Sequence, residues 1–401
     1  MTPEPGKHNY KAAALQAAAA TIEILKLSER PDVISFSGGL PDPRTFDIDA
    51  IRQTANKVFA EEGPSALNYG PTSGYPQLRE WIADRMQRKE GITASPEEIL
   101  VTSGSVEALH LYCGIVLDAG DTVLVEAPTY LVALQIFRCF GARIVPVPVD
   151  SEGLCVDCLP ALLATLAQDG ARVKFLYVIP SFQNPTGLTL SRRRRLELAE
   201  IACLHRLPIV EDHAYAELCY DHEPWPSLKS LIPEQVVFLH TFSKIFGPGA
   251  RLGWACAKQE LIEQMALYKI GMDQCSNTIT QRIVLRYGES GALERQVATS
   301  LPIYREKRDL LLAALHQELR ESCRWTVPEG GFFVWVALPE ANSSTDLLAR
   351  CLEQEKVAFV AGPPFFVTGG EPFLRLSFSY VPADQILEGV RRLARVLHLL
   401  A

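Results

Sequence analysis

From Ile99 onward, short apolar runs alternate with longer segments of helical spacing. The runs fall at 99–102, 122–126, 143–147, 174–179, 208–211, 236–240 and 253–257. Apolar runs without strict alternation fit strands buried on both faces. Strands that alternate with helices predict a mainly parallel sheet with helices packed on each side. Seven such strands make one large α/β domain. Ahead of them, 49–61 and 76–89 have helical spacing, and an alanine-rich stretch at 12–20 predicts a docked N-terminal helix. Beyond about Arg286 the order changes to helix (301–319), strand (331–336), helix (344–353), strands (357–360 and 373–379) and helix (383–399). This is the pattern of a smaller α+β domain. The expected division is an N-terminal arm or helix over 1–30, a large domain over 31–285 and a small domain over 286–401. The first part of the large domain is free to pack with the small one, and the hinge falls in the helical region 280–295.

Polar residues collect where the predicted strands end. Ser103-Gly104-Ser105 follows the first strand and opens a helix, and Pro128-Thr129-Tyr130 follows the second. Ser181-Phe182-Gln183-Asn184-Pro185-Thr186-Gly187, Asp212-His213-Ala214-Tyr215 and Thr241-Phe242-Ser243-Lys244 follow the fourth, fifth and sixth. In open α/β sheets ligands lie beyond the carboxyl ends of the strands. Each loop alone reads as a turn; five on one edge read as a site. Ser103 to Ser105 form a natural phosphate cup at a helix N-terminus. Lys244 stands in a loop between two buried strands, where desolvation favours the neutral amine that attacks a carbonyl. That is what a Schiff-base lysine needs. The hydroxyls of Thr241 and Ser243 and the guanidinium of Arg251 suit a phosphate, so the stretch reads as a pyridoxal phosphate site. A surface loop with an ordinary lysine is the competing reading of that stretch taken alone. Gly38 and Gly39 mark either a simple turn or backbone held close to a ligand or strand. Arg375, among apolar neighbours, is either half of an internal ion pair or a clamp for a substrate carboxylate.

The composition of the 401 residues, 48% hydrophobic and 21% charged, supports two domains with sizeable cores. The formal net charge of -8 argues against a nucleic-acid role for the chain as a whole. The run Arg192 to Arg195 follows Ser191, a good N-cap, and reads as the solvated first turn of an exposed helix. Cys113, Cys139, Cys203, Cys219 and Cys256 fall in apolar segments, as free buried thiols do, which implies a reducing cytoplasm. No metal site is expected. Cys155 and Cys158 lack a second pair, and His205, His213 and His222 with Asp212 lack ligand spacing. No run is long and apolar enough to span a bilayer, so no membrane partner is expected.

Taken in order, SFSGGLPDPRTF, NYGPTSGYPQLRE, VTSGSVEALH, SFQNPTG, EDHAYAEL, TFSKIFGPGARLGW, GGFFVWVALP and LRLSFS cover nearly the whole chain. Together they resemble the fold-type I pyridoxal-phosphate aminotransferases of class I/II. The similar branch includes 2-aminoadipate and kynurenine aminotransferases and the aminotransferase-like half of MocR-type regulators. The resemblance implies that Lys244 carries the cofactor and that Asp212 faces the pyridine nitrogen and keeps it protonated. It further implies that Tyr215 and Asn184 reach the phenolic oxygen and that Tyr130 stacks on the ring. Ser105, the backbone of Val106, Ser243 and Arg251, with Thr241 nearby, would hold the phosphate. Arg375, Asn184 and the backbone of Gly39 would bind the substrate α-carboxylate. Tyr69 would reach the phosphate of a neighbouring subunit, which implies a homodimer with shared active sites. The chain departs from the family pattern at His213 and Ala214, at Thr241 and at Val106, without losing a catalytic group.

The implied reaction, in amino acid metabolism or biosynthesis, moves an amino group between an L-amino acid and a 2-oxo acid, 2-oxoglutarate being the expected acceptor, with ping-pong kinetics. A cyclase, oxidase or decarboxylase on the same scaffold competes with it, since fold and cofactor do not fix the reaction. The effector part of a MocR-type regulator is a third reading. It needs a winged helix, and only about thirty residues precede SFSGGLP. Side-chain specificity is not readable from Lys26, Arg30, Arg44 and their apolar neighbours.

Overall fold

The structure, a computed structural model, describes residues 30–399 together with positions 22 and 26. The N-terminal arm or helix expected over 1–30 otherwise lies outside the described residues. The first strand, β1 (Ile34–Ser35), stands apart from the large sheet. Eight strands build that sheet: β2 (Ile99–Thr102), β3 (Thr122–Ala127), β4 (Arg143–Asp150), β5 (Gly153–Leu154), β6 (Val173–Val178), β7 (Ile209–Asp212), β8 (Val236–Thr241) and β9 (Gly253–Cys256). Their spatial order is β2-β9-β8-β7-β6-β3-β4-β5. The run from β4 through β3, β6 and β7 to β8 is parallel, whereas β9 is antiparallel to both its neighbours and β5 folds back on β4. The eighth strand corrects the expected count of seven, because β5 is a two-residue return too short to register as an apolar run.

Every residue of β2, β7, β8 and β9 is buried, which explains why these strands read as continuous apolar runs. Successive side chains point to opposite faces. Val123, Phe175, Tyr177, Val210 and Leu239 pack under Leu109, Leu134 and Phe137 from the helices Ser105–Val116 and Leu131–Cys139. Leu124, Leu176, Ile209 and Phe238 meet Leu78 and Ile82 of Pro76–Glu90 and Leu198 and Ala202 of Arg192–His205.

A second sheet, ordered β10-β11-β14-β13, is built from β10 (Arg324–Trp325), β11 (Phe333–Ala337), β13 (Val360–Ala361) and β14 (Phe373–Ser377), all antiparallel. Between β11 and β13, β12 (Val357–Ala358) pairs in parallel with β1. Phe36, next to β1, joins Tyr304, Phe332, Val334, Leu376 and Val390 in one buried cluster. The helix expected to begin at 301 instead runs over Ala292–Leu319 and contains Pro302. The helix thus begins nine residues earlier than expected, and carries a proline in its interior.

Two surface expectations are also corrected. Arg194 and Arg195 are buried. Arg194 pairs with Asp150, and Arg195 donates to the carbonyls of Pro180, Leu190 and Pro226 and to Ser181 Oγ. Of the cysteines read as buried, Cys113, Cys219 and Cys256 are, whereas Cys139 is half-buried and Cys203 exposed.

Candidate active site

The five polar loops meet at the carboxyl ends of β2, β3, β6, β7 and β8 around a cavity of about 360 Å³. Its lining includes Gly39, Ser105, Val106, Tyr130, Asn184, Asp212, Tyr215, Thr241, Ser243, Lys244, Arg251 and Arg375. Tyr69, which the resemblance puts at a phosphate, is absent from this lining, and so is Ser103 of the cup. Tyr69 is on the surface, 78% exposed.

Lys244 follows β8, and its Nζ donates to Gly39 O at 2.9 Å. Burial, helped by the positive charges of Arg375 and Arg251 and opposed by Asp212, brings its pKa down to about 8. Gly39 approaches so closely that a Cβ there would lie 2.9 Å from the Phe333 ring. Only glycine leaves that space. Asp212 ends β7. Its Oδ2 accepts from the Tyr177 hydroxyl at 2.8 Å, while Oδ1 is buried with no hydrogen-bond partner. Burial pushes the carboxyl up, against the Tyr177 hydroxyl, the Ala214 N–H and the charges of His213 and Lys244. Tyr130 and Tyr215 are likewise pushed up by burial, Tyr130 to about 12.

At the other end of the cavity, the helix Ser105–Val116 begins after Gly104, whose φ of 104° belongs to glycine. A Cβ there would crowd Arg251 Nη2 at 3.0 Å. Arg251 donates through that nitrogen to Ser103 O at 2.8 Å. Thr241 Oγ1 lies 2.9 Å from Ser243 Oγ and accepts from the Ser243 N–H at 3.1 Å. Two hydroxyls, a guanidinium and the amides of a helix's first turn thus face one end of the cavity, a donor set suited to a phosphate.

Arg375 projects from β14 and is 4% exposed. It donates to Asn184 Oδ1 at 2.8 Å and to Ser37 O at 2.7 Å, and its Cζ lies 4.2 Å from the Phe333 ring centroid. Its Nε is buried without a partner, and no carboxylate among the described residues pairs with it. The internal ion-pair reading of Arg375 is therefore excluded within the described residues. Burial, partly offset by Tyr215 and Tyr130, brings its pKa down to about 10.

Tyr177, Phe333 and Ser37 were missed in the sequence. Tyr177 and Phe333 sit inside apolar strands and read as core, and Ser37 contributes through its backbone carbonyl, which no residue type signals. Among the described residues, no helix is long and apolar enough to cross a membrane, and no group of three or more His, Cys, Asp or Glu could hold a metal ion.

The Aminotransferase class I and II family model matches residues 31–393. Aromatic-amino-acid aminotransferase 1 of Thermococcus litoralis is 40% identical over 94% of this chain and 90% of its own length. The 2-aminoadipate transaminase of Thermus thermophilus is 41% identical over 99% and 98%. Among solved structures, the kynurenine aminotransferase of Pyrococcus horikoshii, in complex with PMP, superposes with a TM-score of 0.93 at 38% identity, covering 98% of this chain and 97% of that one.

Proposed function

The chain belongs to the class I and II aminotransferase family and is a pyridoxal-phosphate-dependent aminotransferase, and we propose that Lys244 carries the cofactor, with Asp212 and Arg251 as its charged partners and Arg375 as the clamp for the substrate carboxylate. One observation carries this assignment. Three groups meet on one cavity without an ionic partner: the half-buried Lys244 Nζ, bonded only to the Gly39 carbonyl, and the buried Asp212 Oδ1 and Arg375 Nε, which have no hydrogen bond. The residues fit the cofactor: Asp212 Oδ1 offers an anionic acceptor to a ring N–H, Lys244 offers a largely desolvated amine, and the cup with Arg251 offers donors to a phosphate. When bound, pyridoxal phosphate supplies an aldehyde that condenses with amines and a ring that accepts the electron pair left by a departing α-proton.

The side chains then have separate tasks. Asp212 keeps the ring nitrogen protonated, and Tyr177 holds the carboxylate in the required orientation through Oδ2. Tyr130 would hold the ring from one side, and Tyr215 with Asn184 would bind the phenolic oxygen. Ser105, the Val106 amide, Thr241, Ser243 and Arg251 bind the phosphate. Arg375, with Asn184 and the Gly39 backbone, orients the substrate by its α-carboxylate. Lys244 Nζ, an amine of lowered pKa, would serve as the general base that takes and returns the substrate α-proton. The same groups acting in reverse on a second 2-oxo acid, with 2-oxoglutarate as the acceptor we favour, give ping-pong kinetics. We place Tyr69, on the open surface of this chain, at the phosphate of a second copy in a homodimer. The ten unpaired cysteines support a reducing, cytoplasmic setting.

Separated half-reactions test the assignment. Aromatic and 2-aminoadipate-like donors, added without acceptor, are expected to convert the bound cofactor to its aminated form, and 2-oxoglutarate is expected to restore it. A cofactor spectrum that never changes with any amino donor overturns the reading.

A further inference from the structure

Behind the cup of Ser103, Gly104 and Ser105, a buried ammonium is held between two carboxylates. Lys269, near the end of the helix Gln259–Ile270, has a fully buried side chain. Its Nζ donates to Glu107 Oε1 at 2.7 Å and to the two oxygens of Asp273 at 2.7 and 2.8 Å. The same carboxylates take hold of Ser103. Glu107 accepts the Ser103 backbone N–H through Oε2, and Asp273 Oδ2 accepts the Ser103 hydroxyl at 3.3 Å. The remaining polar atom of Ser103, its carbonyl, accepts from Arg251 Nη2 at 2.8 Å. All three polar groups of Ser103 are thereby engaged. The direction of the Arg251 guanidinium thus depends on a cluster anchored by Lys269.

Charge strengthens the point. Two carboxylates and one ammonium leave the cluster with one net negative charge beside the place read as the phosphate site. Without the ammonium, two carboxylates would face each other and an incoming phosphate in a partly desolvated setting, where repulsion is weakly screened. On the reading of the cup as the phosphate site, we propose that Lys269 is a positioning residue for the cofactor phosphate: it neutralises one of the carboxylates that grip Ser103 and keeps Arg251 aimed into the cavity. Lys269 reaches none of the reacting groups, so its effect falls on holding the cofactor rather than on proton transfer.

The test compares holoenzyme loaded with pyridoxal phosphate or with pyridoxal, which lacks the phosphate, and follows cofactor loss on dilution by absorption. Wild-type enzyme should lose pyridoxal phosphate far more slowly, and Arg251→Met should narrow that difference by about ten-fold or more, the cost of one charge-assisted contact. If it does not, the reading of the cup has failed, independently of Lys269. Given that control, Lys269→Met should speed loss of pyridoxal phosphate by about 10- to 100-fold, as expected for lost charge-assisted hydrogen bonds. Loss of pyridoxal, and kcat in saturating pyridoxal phosphate, should change by less than about two-fold, since no group that acts on substrate is removed. Lys269→Arg keeps the charge and is measured if the methionine variant does not fold. It should speed loss of pyridoxal phosphate about three-fold or more, because a planar guanidinium cannot reproduce the compact ammonium geometry. Equal acceleration for both cofactors, or none for either, overturns the proposal.

Discussion

Two regions of this molecule bury charge, and they treat it in opposite ways. On the helix-covered side of the sheet, Arg85 is 2% exposed and is answered within the chain. It donates to Glu217 at 2.9 and 2.5 Å and to Glu294 at 3.2 Å. Although burial opposes ionisation, Arg85 holds the Glu217 carboxyl down to about 2. The pairing is confined to Arg85 and its two carboxylates: beside it, both Glu90 oxygens and His240 Nε2 are buried without a hydrogen bond, and burial pushes Glu90 up to about 7, toward its neutral form. At the cavity the pattern is different. Lys244 donates to a carbonyl, Asp212 accepts from the Tyr177 phenol and is held by the Ala214 N–H, and Arg375 donates to an amide oxygen and a carbonyl, none of them an ionic partner. A buried charge left without an ionic partner costs several kcal/mol, so it persists where something else completes it. The answered region is structure; the open one awaits cofactor and substrate.

Breaking the open region at its centre should have the largest effect. Lys244→Ala is expected to abolish the absorption band of the bound cofactor and to lower kcat by roughly four or more orders of magnitude, since it removes both the attachment point and the general base. Thermal stability without cofactor should not fall, because the lost cation has a carbonyl and the faces of two aromatic rings but no carboxylate bonded to it among the described residues. Retention of the band would count against the assignment.

The answered region predicts the reverse split. Arg85→Met leaves Glu217 buried and uncompensated, so unfolding free energy should drop by about 3–5 kcal/mol in denaturant titration. Turnover per folded molecule should stay within about two-fold, as expected for a change outside the reacting groups. A collapse of kcat with stability preserved would show that the distinction between the two regions is drawn in the wrong place.

Arg375→Lys examines the rim of the open region, where charge is kept and the planar fork is lost. The expected loss in kcat/KM is about 2–4 kcal/mol in transition-state terms, similar for donor and acceptor, because both carry the α-carboxylate. Measuring each half-reaction separately checks this. A loss confined to one substrate would mean that Arg375 reads a side chain instead.

The open region was the more legible of the two in the sequence. Its polar residues stand out because they interrupt apolar runs at strand ends, as Ser103 to Ser105, Asp212 and Lys244 do, and topology then gathers those ends on one edge. Tyr177 escaped notice for the opposite reason: its ring belongs to the apolar period of β6, and only its hydroxyl reaches Asp212. Arg194 and Arg195 lie in a run that reads as a solvated first turn, and Arg85 lies in a charged helical segment, 76–89, that gives no sign of which cation is buried. Their burial depends on Glu217, Asp150 and the Pro180 carbonyl, partners from 15 to 132 residues away along the chain, so no local pattern announces it. The fold was legible to the extent that elements are long; the two-residue β5 was lost, and so were the first turns of Ala292–Leu319.

The smallest effect bears most directly on whether the open charges act on one another. Burial first, then the positive charge of Arg375, bring the Lys244 amine to about 8, from the 10.5 of an ordinary lysine. Only the neutral amine attacks an aldehyde, so capture of pyridoxal phosphate by the cofactor-stripped chain should quicken about ten-fold per pH unit below pH 8 and level off above it. At pH 7 about one site in ten holds the neutral form, some 300 times the fraction of an ordinary lysine. The sign of the coupling follows from charge: removing a nearby cation makes protonation easier, so Arg375→Met should move the midpoint to higher pH. Arg85→Met should leave it in place, because its cation is answered by Glu217 and Glu294. Stopped-flow absorption across the pH range reads both variants. A midpoint unmoved in Arg375→Met would mean that burial alone tunes Lys244, and that the cavity's unanswered charges are neighbours without influence on one another.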